Sequence, residues 1–229
     1  MKTSKPLSLF TALFTALFTA LAVLSGSIAA PLLCRPFYYA HIGPMGLTEY
    51  AGLTAEEIRQ AFDQVMDFCL GLRPDFAAGV LPWSQSGAGH FADVRRLFLL
   101  NLRVLALSLA GLLLLLVCSR LKHVRPYCFR GRGPGFWAAA GLAAVFLVVG
   151  GLAALDFDRA FVIFHALFFP GKTNWLFDWR TDPVILILPE TFFRNCALLI
   201  LALVMLWCAV LIFADLWAGK RRKQRGLDR

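Results

Sequence analysis

The stretch LFLLNLRVLALSLAGLLLLLVC, at residues 97–118, decides the structural class of this protein. Its only charge is Arg103, near its beginning. A helix of about 20 apolar residues is long enough to cross the hydrocarbon core of a membrane. Three further apolar runs have similar length, at residues 7–30, 136–155 and 196–217. The sequence therefore predicts an all-α membrane protein with four transmembrane helices in a single membrane domain, residues 1–229.

The composition of the whole chain agrees with this prediction. Of its 229 residues, 59% are hydrophobic and 16% are charged, whereas a soluble domain has about 45–50% apolar and about 25% charged residues. A formal net charge of +9 could also indicate a nucleic-acid-binding protein. The basic residues, however, cluster beside the apolar runs instead of forming one basic face. We therefore predict a membrane protein with no nucleic-acid partner.

The first apolar run has an alternative interpretation as a signal peptide, because Lys2 and Lys5 precede it and small residues lie at its end. The apolar part of a signal peptide usually has only about 7–15 residues, and this run is longer. Its repeated TALF motif also places Thr11, Thr15 and Thr19 on one helical face. Such a face of small residues is typical of a helix that packs on a neighbour. We therefore expect the run to be a transmembrane helix.

The distribution of basic residues predicts the orientation, since Lys and Arg concentrate in cytoplasmic segments. The segment at residues 119–135 contains five basic residues and no acid, and the segment after residue 217 is also strongly basic. Residues 31–96 and 156–195 mix acids with bases. We therefore predict that these two segments form an extracytoplasmic, partly helical cap, with the C-terminus in the cytoplasm.

One helix of the predicted cap has clear local signals. Thr54 is the expected N-cap, with Glu57 as its capping-box partner, and the helix should end near Gly71. Its predicted apolar face consists of Ile58, Phe62, Val65, Met66 and Cys69.

Of the six cysteines, only Cys34 and Cys69 lie in the predicted outer segments. They could pair in an oxidising compartment, and the spacing leaves that question open. The cysteines show no CxxC or Cys/His ligand spacing, so we predict no metal site.

Two histidines fall at the predicted outer membrane surface. His90 and Asp93 lie three residues apart, just before the second span, and would share a helical face. His165 lies in an aromatic run after the third span. Each could be merely structural, but a polar group in such surroundings is costly unless it is used or hydrogen-bonded. Together they indicate acid–base chemistry on a lipid-linked substrate, whereas His41 and His123 lie in less suitable segments.

Two short motifs resemble the ligand-binding motifs of other protein classes. Gly171-Lys172-Thr173 ends a relaxed phosphate-loop pattern, but that loop is rich in Phe and would face away from cytoplasmic nucleotides. Asp156 and Asp158 form a DxD pattern without further ligands. We predict no nucleotide site at the first motif and a structural role for the second.

The outer motifs together resemble the bacterial integral membrane family that includes the lipoprotein intramolecular transacylase Lit. The resemblance covers about residues 46–195 and depends on the order of several short motifs. These are GLTEY at 46–50, HFADVR at 90–95, FVIFHALFF at 161–169, Asn174-Trp175, Asp182 and LPETFF at 188–193. Phe91 and Arg95 depart from the pattern expected of the family.

The resemblance implies an acyltransferase of the bacterial cytoplasmic membrane, with its active site at the extracytoplasmic surface. The reaction would move the sn-2 acyl chain of a lipoprotein's diacylglyceryl cysteine onto the α-amino group of the same cysteine, giving lyso-form lipoprotein. The partners would be the diacylglyceryl-modified lipoprotein and membrane lipid, and no cofactor is expected. Two alternatives remain: a non-catalytic lipid- or lipoprotein-binding membrane protein, and another membrane acyltransferase that acts between two molecules.

The resemblance also implies the residues of the site. His90 and His165 would be the catalytic acid and base, in an order that the sequence does not assign. We further expect Asp93 to orient His90, with an Asp93–Arg96 ion pair as the alternative. The residues expected to orient the histidines or to bind substrate are Asp93, Arg95, Arg96, Phe164, Phe168, Asn174, Trp175 and Asp182.

Overall fold

The computed structural model describes residues 5–224, with side chains described up to residue 221. Lys2, Arg225 and Arg229, which contribute to the charge patterns above, lie outside the described residues. The described helices are α1 (Lys5–Leu33), α2 (Arg35–Ile42), α3 (Leu47–Ala51), α4 (Ala55–Cys69), α5 (Gln85–Leu121), α6 (Pro134–Leu155), α7 (Phe157–Phe168), α8 (Val184–Ile187) and α9 (Glu190–Gln224).

Four of these helices, α1, α5, α6 and α9, are long and apolar enough to cross a membrane. Each contains one of the predicted spans, which confirms the predicted fold class of an all-α, multi-pass membrane protein. Helix α5 has 37 residues, and at ~1.5 Å per residue it is ~55 Å long. Because a hydrocarbon core is only about 30 Å thick, part of α5 must extend beyond it. The first turns of this helix carry His90 and Asp93.

The chain divides into two compact units, and the first consists mainly of residues of α1, α5, α6 and α9. It comprises Met1–Ser27, Arg103–Gly151 and Leu201–Arg229. Hydroxyl groups in its helices donate to carbonyl oxygens one turn earlier, at 2.8 Å from Thr11 to Leu7 and 2.7 Å from Ser108 to Val104. Because each of these hydroxyl groups has a hydrogen-bond acceptor in its own helix, it can lie in an apolar environment without an unpaired donor. Thr11 is buried and Thr15 and Thr19 are half-buried, in agreement with the predicted packing face.

The second unit comprises Ile28–Leu102 and Leu152–Ile200, which nearly coincide with the two predicted outer segments. Its apolar core brings α2, α3, α4 and α8 together around Tyr38. The Tyr38 ring stacks on Phe62 with centroids 3.7 Å apart, and its hydroxyl donates to the carbonyl of Ile187 at 2.7 Å. The buried Tyr38 side chain therefore has both an aromatic packing partner and a hydrogen-bond acceptor.

Local capping signals define two helix starts in the second unit. Thr54 caps α4, and its reciprocal hydrogen bonds with Glu57 confirm the predicted capping box. The carboxylate of Asp156 accepts from the backbone N–H of Arg159 at 2.9 Å and caps α7. The first carboxylate of the DxD pattern is therefore structural, as predicted.

The two cysteines of the outer segments are both free thiols, Cys34 exposed and Cys69 buried. His41 lies in the last turn of α2, where its Nδ1 atom is 2.6 Å from the carbonyl oxygen of Phe37. His41, which the sequence analysis set aside, is thus part of a helix in the second unit.

Candidate active site

His90 owes its position to the way α5 begins. Ser84 precedes the helix, and its hydroxyl oxygen accepts from the N–H of Gly87 at 3.0 Å, which is the geometry of an N-cap. The buried carboxylate of Asp182 accepts from the Ser84 backbone at 2.8 Å and from its hydroxyl at 2.7 Å. A Cβ atom at Gly87 would collide with this carboxylate. These contacts fix the first turn of α5, which leads directly to His90.

His165 lies in the last turn of α7, and its tautomer follows from one hydrogen bond. Its Nδ1 atom is 2.7 Å from the carbonyl oxygen of Phe161. Because a carbonyl only accepts, Nδ1 carries the hydrogen, and Nε2 of the neutral ring has a free lone pair. Burial lowers the pKa of His165 below its usual value, although the bond to Phe161 opposes that shift. The ring is therefore suited to accept a proton at Nε2.

The two histidines lie together, as the sequence predicted. Their ring centroids are 5.8 Å apart, and each residue is only 6% exposed. The Nδ1 atom of His90 is buried and has no hydrogen-bond partner among the described residues. A single ester group could reach both rings at this separation.

Aromatic side chains surround the pair. Phe169 lies 5.0 Å from the ring of His90, and Phe177 lies 5.5 Å from it, centroid to centroid. Trp175 stacks on His165 at 4.3 Å, and the Phe161 ring is also 4.3 Å from His165. Because both imidazoles are buried among aromatic rings, a polar reaction between them would be largely shielded from water.

A cavity of about 590 Å³ adjoins these walls. Phe161 and Phe177, which contact the two histidines, also line the cavity. The remaining lining residues are Tyr50, Trp179, Ile185, Leu186, Pro189, Glu190 and Phe193. Its mostly apolar lining is compatible with an acyl chain.

Asp93 is near His90 but is paired with cations. Its carboxylate lies 2.5 Å from Nζ of Lys172 and 3.4 Å from the guanidinium of Arg96. The ion pair with Arg96, the alternative interpretation of the sequence, is therefore present. No hydrogen bond joins Asp93 to Nδ1 of His90, and an orienting role of Asp93 stays a prediction.

The other predicted site residues lie at different distances from the histidines. The Phe164 ring is 5.5 Å from the His165 ring, centroid to centroid, and contacts Phe168, which is 46% exposed. Asn174 lies close enough to Asp93 to interact with its carboxylate, and the Oδ1 atom of Asn174 is buried with no hydrogen-bond partner in the part of the chain that the structure describes.

Arg95 and Asp182 have contacts away from the imidazoles. Arg95 donates to the carbonyl of Arg73 at 3.1 Å and lies over the ring of Phe68. Asp182 binds Ser84, as described above. Their observed contacts are those of residues that support the site from outside.

Sequence reasoning missed Lys172, Ser84 and the wall positions of Phe169 and Phe177. In the sequence Lys172 stands out only as part of a phosphate-loop pattern, whereas in the structure it lies in the turn after α7. The richness in Phe was visible in the sequence, but only the fold shows which rings face the histidines.

Comparison with known proteins agrees with this architecture. The sequence profile described as "Lipoprotein intramolecular transacylase Lit" matches residues 13–193. The solved structure of the membrane integral lipoprotein intramolecular transacylase Lit from Bacillus cereus superposes with a TM-score of 0.85 at 22% identity, covering 96% of this chain and 100% of that one.

Two structures of mutants of the same Bacillus cereus protein, each with a substituted histidine, superpose with TM-scores of 0.78 at 20% identity. They cover 96% and 95% of this chain, and 95% and 96% of theirs. No curated protein matches the sequence significantly. The structural likeness shows a shared fold, and the profile match spans most of the sequence. The chain therefore belongs to the family of the lipoprotein intramolecular transacylase Lit.

Proposed function

We propose that this membrane transacylase converts diacylglyceryl-modified lipoprotein into the lyso form, by moving the sn-2 acyl chain of the modified cysteine to the α-amino group of that cysteine. The observation that carries the proposal is the pair of buried imidazoles 5.8 Å apart in an aromatic site. Family membership supplies the reaction class, and the pair supplies groups that can move the protons of that reaction.

His165 acts as the general base in this proposal. The substrate's α-amino nitrogen must lose a proton as it attacks the sn-2 ester carbon, and Nε2 of His165 has the free lone pair to take it. A C–N bond forms and a tetrahedral intermediate results. Its collapse breaks the C–O bond to the glyceryl group.

His90 stabilises the charge on oxygen. As a neutral ring it donates a hydrogen bond to the oxyanion of the intermediate or to the departing glyceryl oxygen. The proton held by His165 is delivered to that glyceryl oxygen, so both imidazoles end the cycle neutral. The products are an amide and an alcohol within one molecule, and neither water nor a cofactor is consumed.

The aromatic walls serve the reaction by restraining the substrate. Nucleophile and ester belong to one molecule, and an intramolecular reaction gains much of its rate when the two arms are held in contact. Phe169, Phe177 and Trp175 leave little room around the imidazoles. Exclusion of water also protects the ester from hydrolysis, which would otherwise compete with the transfer.

Mass spectrometry of a diacylglyceryl lipopeptide, before and after incubation with the purified protein, tests the proposed function. The expected product has an unchanged total mass, but its fragments carry one acyl chain on the cysteine nitrogen. Loss of one acyl mass would indicate hydrolysis. Binding of the lipopeptide without any change in its fragments would favour the lipid-binding alternative.

We also propose that the second unit faces the extracytoplasmic side, and cysteine labelling tests this orientation. Cys128, between α5 and α6, and Cys34, between α1 and α2, are both exposed. In single-cysteine variants, an impermeant maleimide applied to intact cells should label Cys34 and should reach Cys128 only after lysis. Cys69 is buried and is therefore unsuitable as a reporter. Labelling of Cys128 in intact cells would contradict the orientation.

The pH dependence of kcat/KM should reflect the lowered pKa of His165. A base works only when neutral, and burial keeps this ring neutral below its ordinary pKa of about 6.5. A separate, gradual fall in activity is expected below pH ~8, because the α-amino group of the substrate becomes protonated there. Activity should fall more steeply only below pH ~6.5, as His165 takes up its proton. A steep loss that begins above pH ~6.5, in protein that stays folded, would contradict the role of His165 as base.

A further inference from the structure

A tight turn follows His165 and returns the chain over the end of α7. We call residues 169–176 the turn segment. The backbone N–H of Phe169 donates to the carbonyl of His165 at 2.8 Å, and that of Lys172 donates to the carbonyl of Phe169 at 3.1 Å. Gly171 has a φ of +72°, which a residue with a side chain rarely adopts. The segment is thus built to reverse direction at Lys172.

The backbone of Lys172 also holds Trp175. The indole N–H of Trp175 donates to the carbonyl oxygen of Lys172 at 3.1 Å. The indole ring stacks on the imidazole of His165, with centroids 4.3 Å apart and planes inclined by 25°. The position of this ring over His165 therefore depends on where the turn segment holds Lys172.

The side chain of Lys172 reaches the other histidine's helix. Its ammonium group binds the carboxylate of Asp93, which follows His90 by three residues on α5. The Asp93 side chain is 10% exposed and that of Lys172 is 44% exposed, so this contact is shielded from water on the Asp93 side only. Arg96 adds a longer contact from a side chain that is 81% exposed, and such pairs contribute little.

We propose that Asp93 and Lys172 are positioning residues. Their ion pair holds the turn segment against α5, keeps Trp175 stacked on His165, and thereby fixes the separation of the two imidazoles. Neither residue touches the reacting atoms. The inference rests on the proposed function and extends it. In this role Asp93 binds Lys172, Lys172 holds Trp175, and Trp175 keeps His165 aligned.

A purely electrostatic role of the two charges makes a different prediction. Asp93 is negative and Lys172 is positive, so their removal would change the potential at the imidazoles in opposite directions. The pH–rate profiles of Asp93→Asn and Lys172→Met would then move in opposite directions. Loss of a mechanical contact instead lowers turnover in both variants, since either substitution breaks the ion pair between the turn segment and α5 and leaves the contact of Asn174 with residue 93.

The kinetic test uses Asp93→Asn, Lys172→Met and the double variant with the diacylglyceryl lipopeptide. Each single variant should lose about 10- to 100-fold in kcat with little change in KM, because small misplacement of catalytic groups is costly. The double variant should be no slower than the slower single one. Lys172→Arg keeps the charge and should recover most of the loss, although its planar group changes the geometry.

Tryptophan fluorescence gives a readout that does not need turnover. The emission of Trp175 is obtained as the difference between a protein and its Trp175→Phe counterpart, in wild type and in Lys172→Met. We expect Lys172→Met to change the wavelength and intensity of this emission, because the indole leaves the imidazole. Unchanged Trp175 emission would overturn the proposal even if the protein were inactive.

The exposed ion pair of Glu56 and Arg59, 3.6 Å long and also in the second unit, supplies the control. Glu56→Gln should leave kcat and the Trp175 emission unchanged. If the wild type is inactive on the lipopeptide, the proposed function fails, and fluorescence alone decides the positioning role. If the wild type is active, additive losses or opposite shifts of the pH profiles would overturn the positioning role and leave the proposed function intact.

Discussion

His90→Ala and His165→Ala are each expected to lower the rate of N-acylation by about 10²- to 10⁴-fold, the range contributed by a positioned general acid or base. The effect should appear in kcat, because His165 moves the proton of the reaction and His90 stabilises the charge that develops on oxygen in the transition state. His165→Ala removes the lone pair at Nε2, and His90→Ala removes the partner 5.8 Å away. The measurement is the initial rate of N-acyl lipopeptide formation with each purified variant.

The double variant distinguishes cooperation from independent effects. If the imidazoles act as a unit, His90→Ala combined with His165→Ala should be hardly slower than either single variant. His41→Ala is the matched control, because its Nδ1 atom also lies beside a carbonyl four residues earlier, at 2.6 Å. It should retain the wild-type rate. Full turnover by a folded His90 or His165 variant would remove that histidine from the mechanism.

Asp182→Ala is expected to lower the free energy of unfolding by about 2–5 kcal/mol, because it leaves the N–H and the hydroxyl of Ser84 without their acceptor in a partly buried place. Thr181 would also lose a hydroxyl contact of 2.9 Å. The first turn of α5 would then be poorly fixed, and the position of His90 with it. Thermal unfolding in detergent, followed by circular dichroism, measures the loss.

Two further substitutions make this stability test specific. Asp182→Asn retains an acceptor oxygen and should lose less stability than the alanine variant. Asp75→Ala, at an exposed position of the same unit, should change the unfolding temperature little. Equal unfolding temperatures for Asp182→Ala and the wild type would show that the contact with Ser84 does not stabilise the start of α5.

The sequence predicted well what depends on local or repetitive signals. The four spans follow from runs of apolar residues, and α4 follows from Thr54, Glu57 and the spacing of its apolar face. The length of α5 was not predicted, since its first turns are polar and rich in glycine. Their helical form depends on the cap by Ser84 and on Asp182, which is 98 residues away.

The histidine pair was predictable because topology alone brings the ends of neighbouring spans to one membrane surface. The contacts that support the histidine pair could not be predicted from the sequence. Lys172 and Asp93 are 79 residues apart and meet only through the fold. The sequence shows that Asp93 lies three residues from His90 and from Arg96, so it predicts contacts along the helix. It does not show which distant residue forms a tertiary ion pair with Asp93.

A crossover measurement examines whether the paired imidazoles transfer the acyl chain within one substrate molecule. Two lipopeptides are mixed with the enzyme, one with a deuterated sn-2 acyl chain and the other with an isotopically heavy peptide. We expect that every N-acylated product keeps the acyl chain and the peptide of one parent, and that His165→Ala forms almost no product. Products that combine the deuterated chain with the heavy peptide would contradict this expectation, because they require transfer between two molecules.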